Sequence, residues 1–147
     1  MSFRFVAFTI SVAAVSLGLF FGSVIPAERP DLVAKAVKPD YALGSHVAAL
    51  GLAFYRGKSF PSRYHGGAFI GMHGSWNRSN FVGYKVAFVR FENGRPAGVI
   101  EDFLTGFIAN EKASEVYGRP VGVTVWNDGS LLVADDSGRK VWRVSAK

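Results

Sequence analysis

The sequence predicts an all-β fold for most of its length, behind one apolar N-terminal stretch. Brief runs of β-branched and aromatic residues are separated by glycine-containing turns, and no long window shows a helical period. Composition agrees, because 49% hydrophobic and 14% aromatic residues, with 17 Gly against 6 Pro, describe a packed domain and not a disordered one.

The N-terminal element is an expected hydrophobic helix. Arg4 precedes an uncharged run from Phe5 to Ala27, and Glu28 and Arg29 follow it. A bilayer crossing needs ~20 apolar residues, and a signal peptide usually has a shorter apolar region of ~7–15. Cleavage after Ala27 would place Ile25, and cleavage after Ser23 would place Phe21, where a small side chain is preferred. The favoured reading of residues 1–30 is therefore an uncleaved transmembrane anchor, with a signal peptide as the alternative. Arg4 would stay cytoplasmic, so residues 31–147 would face the periplasm or exterior, anchored to the membrane or secreted to the periplasm after cleavage.

A short polar link from Glu28 to Asp40 leads into the strands. Leu50 to Tyr55, Ala68 to Met72, Tyr84 to Phe91 and Val99 to Leu104 read as four successive strands, with Gly66-Gly67, Gly74 and Asn93-Gly94 at or near the breaks. Four consecutive antiparallel strands make one propeller blade. A second unit starts at Arg119: Val121 to Trp126, the turn Asp128-Gly129, Leu131 to Ala134, and Lys140 to Val144. The prediction is thus a β-propeller fragment of about two blades, the second showing only three strands. Lys112 to Val116 between them has the makings of one helical turn.

Several function classes are excluded. The formal net charge is +6, but the 17 basic residues are scattered singly, so no nucleic-acid surface is expected. There is no cysteine, which removes disulfides, thiolate metal sites and Cys nucleophiles. The adjacent acids Asp135 and Asp136 invite a calcium reading, but calcium takes six to eight oxygens from a loop of alternating ligands. They read as turn caps, and no metal ligand is assigned.

Four segments carry a resemblance: PDYALGSHVAALGLAFY (Pro39 to Tyr55), GGAFIGMHGSWNRSNFVGYKVAFVRF (Gly66 to Phe91), EDFLTGF (Glu101 to Phe107) and YGRPVGVTVWNDGSLLVADDSGRKVWRV (Tyr117 to Val144). Together they resemble the C-terminal end of L-sorbosone dehydrogenase-like proteins, within the soluble quinoprotein glucose and pyranose dehydrogenases. HGSWNR and YGRPVGV make the match specific, whereas the last segment alone would suit any NHL-type propeller.

The resemblance implies a propeller of about six blades with pyrroloquinoline quinone (PQQ) over its central channel. It implies oxidation of a sugar hydroxyl (sorbosone, aldose or pyranose), with calcium, where used, held by residues outside this chain. It also implies that the histidine acting as general base belongs to upstream blades, so no catalytic residue is assigned here. PQQ has three carboxylates and two adjacent carbonyls, which calls for guanidinium donors. By resemblance Arg78, closing the HGSWNR turn, and Arg119, just before a strand, would face the cofactor. His46, ahead of the first strand, would line the channel as a cofactor or sugar contact. His73 and Trp76 flank a glycine that lets backbone approach a ligand, the indole offering a flat apolar face. The structural alternatives are solvated loop arginines, a loop histidine at 46, His73 satisfying turn carbonyls, Trp76 packed between blades and Asn77 serving the turn.

Three functions fit: a PQQ-dependent sugar dehydrogenase needing further blades, a non-catalytic membrane-anchored module binding carbohydrate or a partner protein, or a relict gene product. Missing blades would come from a partner or from self-association, three copies of two blades closing a six-bladed ring.

Overall fold

The computed structural model describes residues 29–76 and 78–146, and the chain divides into two units, Met1–Pro39 and Asp40–Lys147. The expected N-terminal helix, residues 5–27, and Asn77 lie outside the described residues. The described part of the first unit holds one short helical turn, α1 (Pro30–Val33), started by Pro30, whose missing N–H would be unpaired there in any case. No helix among the described residues is long and apolar enough to cross a membrane.

The second unit is built of antiparallel sheets. Strands β1 (Ala49–Phe54), β2 (Ala68–Met72), β3 (Lys85–Glu92) and β4 (Arg95–Leu104) form a four-stranded sheet in chain order. A two-stranded ribbon, β5 (Ile108–Asn110) with β6 (Glu115–Val116), leads to a three-stranded sheet of β7 (Pro120–Val125), β8 (Leu131–Asp135) and β9 (Lys140–Val144).

Two expectations need correcting. β4 begins at Arg95, not Val99, because Asn93 and Gly94 both take positive φ (51° and 76°) and form a two-residue hairpin turn that pairs Glu92 with Arg95 at once. Pro96 is tolerated because β4 is an edge strand with no ladder partner to lose on its outer side. The stretch from Lys112 to Val116 is not a helical turn: Asn110 Oδ1 accepts the Ala113 N–H, Ser114 turns with φ 56°, and Glu115 already pairs back with Asn110.

The first sheet is covered on both sides of its middle strands. One face packs Tyr55, Phe60, Tyr64, Phe69, Val86 and Phe88 against Leu131 and Val133 of the second sheet. The other packs Ile70, Met72, Ala87 and Val89 beneath Tyr41, Leu43 and Val47. Burying each of the large side chains contributes ~1.5–3 kcal/mol.

The junction between the sheets is unusually close because two glycines face it. A Cβ on Gly51 would lie 2.3 Å from the Val121 carbonyl oxygen, and one on Gly71 2.5 Å from the same atom. The two glycines pair across β1 and β2, leaving a notch into which the β7 backbone fits. At one end of the junction the buried Tyr55 hydroxyl donates to the Gly129 carbonyl (2.9 Å) in the β7–β8 turn, and it accepts the Phe60 N–H (2.9 Å). The opposite end carries the residues of interest.

Candidate functional site

The start of β1, the end of β2, the start of β7 and the end of β8 all fall at one end of the two sheets, because the strands run alternately up and down. This topology gathers His46, His73, Trp76, Arg78 and Arg119 at that end, from positions up to 73 residues apart in sequence (119 − 46).

Arg119 is the centre of one group. Its guanidinium donates to the Ser75 carbonyl (3.1 Å) and the Tyr84 hydroxyl (2.6 Å), lies over the Tyr84 ring at 4.9 Å, and approaches His73 Nδ1 at 3.5 Å. The partly buried cation has no carboxylate partner within salt-bridge distance among the described residues, so its charge is left for something else to balance. His73 Nε2 meets both oxygens of Asp136, at 3.2 and 3.1 Å. With the proton on Nε2, the Nδ1 lone pair faces Arg119, so both ring nitrogens are engaged and neither is placed to act as a base.

That geometry revises three readings. His73 answers a carboxylate and a guanidinium across the sheet junction, not turn carbonyls. Trp76 is 80% exposed and is not packed between sheets. Asp136 is not only a turn residue, since its carboxylate serves His73.

Asp135 is a turn cap, as expected, and more. Its carboxylate accepts the Arg119 N–H (2.7 Å), the Gly138 N–H (2.7 Å) and the Trp142 indole N–H (2.9 Å) while 3% exposed. Burial opposes its charge, but the hydrogen bonds from Trp142, Arg119 and Gly138 and the nearby Lys140 outweigh it and hold its pKa below the ordinary carboxylate value. A Cβ on Gly118 or Gly138 would lie 2.0 or 2.2 Å from its Oδ2, so both glycines are needed to form this cradle, which fixes the backbone of Arg119.

The second group lines an open depression of about 380 Å³ formed by His46, Ala48, Gly74 and Trp76. His46 (φ 62°) and Ala48 (φ 48°) adopt left-handed backbone, which turns the loop around and leaves His46 exposed. The loop is tied to the β2 end by His73 N–H to Ala48 O (2.9 Å) and Gly74 N–H to Val47 O (3.0 Å). Gly74 has φ 101°, and a Cβ there would meet the Tyr84 ring at 2.4 Å. Bare backbone therefore forms that wall. Arg78 is exposed and makes one long contact from its guanidinium to Ser45 Oγ (3.4 Å).

Sequence reasoning missed Tyr84 and Ser75. Tyr84 read as the first residue of a strand, but its φ of 53° takes it out of β3 and turns its hydroxyl to the Ser75 carbonyl (2.6 Å), with Phe81 stacked on its ring at 4.8 Å. The glycine just before it, Gly83, was the available signal of a tight turn.

The donor set suits a flat polyanion. Two arginines, the His46 imidazole, an exposed indole face and a glycine wall fit a planar tricarboxylate such as PQQ. No group of three or more His, Cys, Asp or Glu able to hold a metal occurs among the described residues.

A family model described as TrAA12-like matches residues 30–147. A pyranose dehydrogenase PQQ domain from Coprinopsis cinerea, solved in its holo form, superimposes with a TM-score of 0.62 at 28% identity over 78% of this chain and 30% of that one. A carbohydrate-active enzyme of family AA12 from Trichoderma reesei gives 0.58 at 25% identity, over 70% and 26% respectively. An uncharacterized protein of Borreliella burgdorferi is 44% identical over 111 residues, 75% of this chain and 29% of that protein. The chain thus spans under a third of each of these relatives.

Proposed function

Because the chain belongs to the TrAA12-like family, we propose that it forms part of the cofactor site of a PQQ-dependent sugar dehydrogenase. The observation that carries this reading is Arg119, a partly buried guanidinium that donates to the Ser75 carbonyl and the Tyr84 hydroxyl and meets no carboxylate among the described residues, beside a depression walled by His46, Gly74 and Trp76.

Arg119 and Arg78 would hold carboxylates of the cofactor, and Trp76 would lie against its ring. His46 would contact cofactor or sugar at the lip. His73, aligned by Asp136, positions Arg119 and holds its own proton on Nε2. When bound, the cofactor supplies two-electron oxidation of a sugar hydroxyl carbon. The general base and any calcium ligands would come from further blades, completing a propeller of about six. The apolar run in residues 5–27 supports placing the site on the periplasmic or outer side of a membrane, with that run as an anchor or a cleaved signal.

The test is a titration of the full chain with PQQ, with and without calcium, followed by cofactor absorbance. Saturable binding weakened about tenfold or more by Arg119→Ala is expected, as for the loss of a hydrogen bond to a charged group. No binding, or binding indifferent to Arg119 and Arg78, sinks the reading. The exposure of Trp76 favours one alternative, carbohydrate binding without turnover, for which sugar would perturb tryptophan fluorescence with no cofactor present.

A further inference from the structure

The two sheets repeat one residue pattern in their first two strands. β1 reads Leu50, Gly51, Leu52, Ala53, Phe54, and β7 reads Val121, Gly122, Val123, Thr124, Val125. Large apolar residues alternate with glycine and a small residue at matching places. The second strands agree, with Phe69, Ile70, Gly71 in β2 against Leu132, Val133, Ala134 in β8.

At the closed junction, a small face meets a large one. Gly51 and Gly71 of the first sheet receive β7, and a Cβ on Gly71 would lie 3.1 Å from Val123 Cγ2. Val123 and Val125 then pack into the shared core.

The opposite faces hold the other halves of the same interface. On the first sheet Leu50, Leu52 and Phe54 stand 59%, 56% and 48% exposed, at the places that Val121, Val123 and Val125 occupy on β7. On the second sheet Gly122 and Ala134 share a face, with 3.7 Å between a Cβ built on one and the Cβ of the other and nothing else of the described residues outside its chain neighbours within 4 Å of it. That is the place of the Gly51–Gly71 notch. Leu132 and the 65% exposed Val141 flank it.

We propose that copies of this chain associate head to tail, the Leu50, Leu52 and Phe54 strip of one copy entering the Gly122–Ala134 notch of the next. The occupant is a second copy because one chain carries both halves of the interface, in the register of its own closed junction. Such a contact is heterologous and closes into a ring when the rotation per step permits. The head-to-tail contact does not rest on the family reading above.

The absence of cysteine makes a direct test simple. In the closed junction Val123 touches the Gly71 position, so between copies Leu52 should touch Ala134. Full-length Leu52→Cys and Ala134→Cys variants, in a mild non-ionic detergent, are expected to cross-link under mild oxidation only when mixed, while wild type sediments as an oligomer. Gly122→Leu, which fills the notch, should weaken association at least tenfold and leave the circular dichroism spectrum of the chain unchanged. A monomeric wild type, cross-linking of either variant with itself as readily as with the other, or a Gly122→Leu oligomer of full strength would overturn the proposal. Failure of PQQ binding by an oligomer would count against the functional reading alone, and binding by a monomer against this one alone.

Discussion

The two sheets of the second unit solve one problem in different ways. The first is held by aromatic mass: Tyr64 meets Phe88 edge to face at 4.8 Å and Phe103 at 5.2 Å, and Phe69 lies 4.4 Å from Phe103. The second has no phenylalanine or tyrosine in its strands and only three of them, and it is fastened by carboxylates. Asp135 gathers three N–H donors at one end, and at the other Asp128 accepts from Ser130 and pairs with Arg143. A thin sheet can thus be fixed by satisfied polar turns, but its stability then depends on charge.

The largest expected effect comes from removing the clasp. Asp135→Ala strands the Arg119, Gly138 and Trp142 N–H groups, each costing ~1–3 kcal/mol when left unpaired, so a loss of about 3 kcal/mol or more is expected in urea unfolding. It should also loosen Arg119 and weaken PQQ binding. An unchanged midpoint would show that the second sheet does not depend on this carboxylate.

Next is the contrast between equivalent glycines. Gly51→Ala drives a methyl into the Val121 carbonyl and should cost ~1–3 kcal/mol, as overpacking does. Within one copy Gly122→Ala meets only Ala134 at 3.7 Å among the described residues, so at concentrations too low for copies to associate its thermal midpoint should be unchanged or slightly raised. Equal effects at both positions would mean that the closed and open faces are not distinct.

The smallest effect is that of pH. Hydrogen bonds from the Ser130 hydroxyl and N–H, followed by Arg143, lower the Asp128 pKa to about 2, and Asp135 is lowered as well. A carboxyl depressed on folding stabilises above its unfolded pKa near 3.9 and loses that contribution as pH falls through the folded value. The second sheet should therefore weaken between about pH 4 and pH 2. In a Trp76→Phe chain, Trp126 and Trp142 remain to report on that sheet, and their fluorescence should shift before the far-ultraviolet dichroism of the whole. Coincident transitions would remove the distinction.

Much of this architecture was legible in the residues. Asn93-Gly94 and Asp128-Gly129 marked two hairpins, and the β-branched and aromatic residues of Lys140 to Val144 marked β9, because these signals are local. Less of the site was legible. Arg119 could be named as a candidate from the family resemblance and His73 from its neighbours in sequence, but not their mutual contact, and Tyr84 was hidden within an apparent strand. Asp136 passed for a turn cap because its partner lies 63 residues away.

The sequence by itself determined the all-β character, the positions of most strands, and the family resemblance, since each depends on alternation, turn residues and short motifs within a few positions. Only the tertiary structure decided which face of each strand is closed, which of two adjacent aspartates is buried, and that Arg119 carries a charge no carboxylate balances among the described residues. Those properties belong to residues distant in the chain, whose separations are set by how the sheets pack.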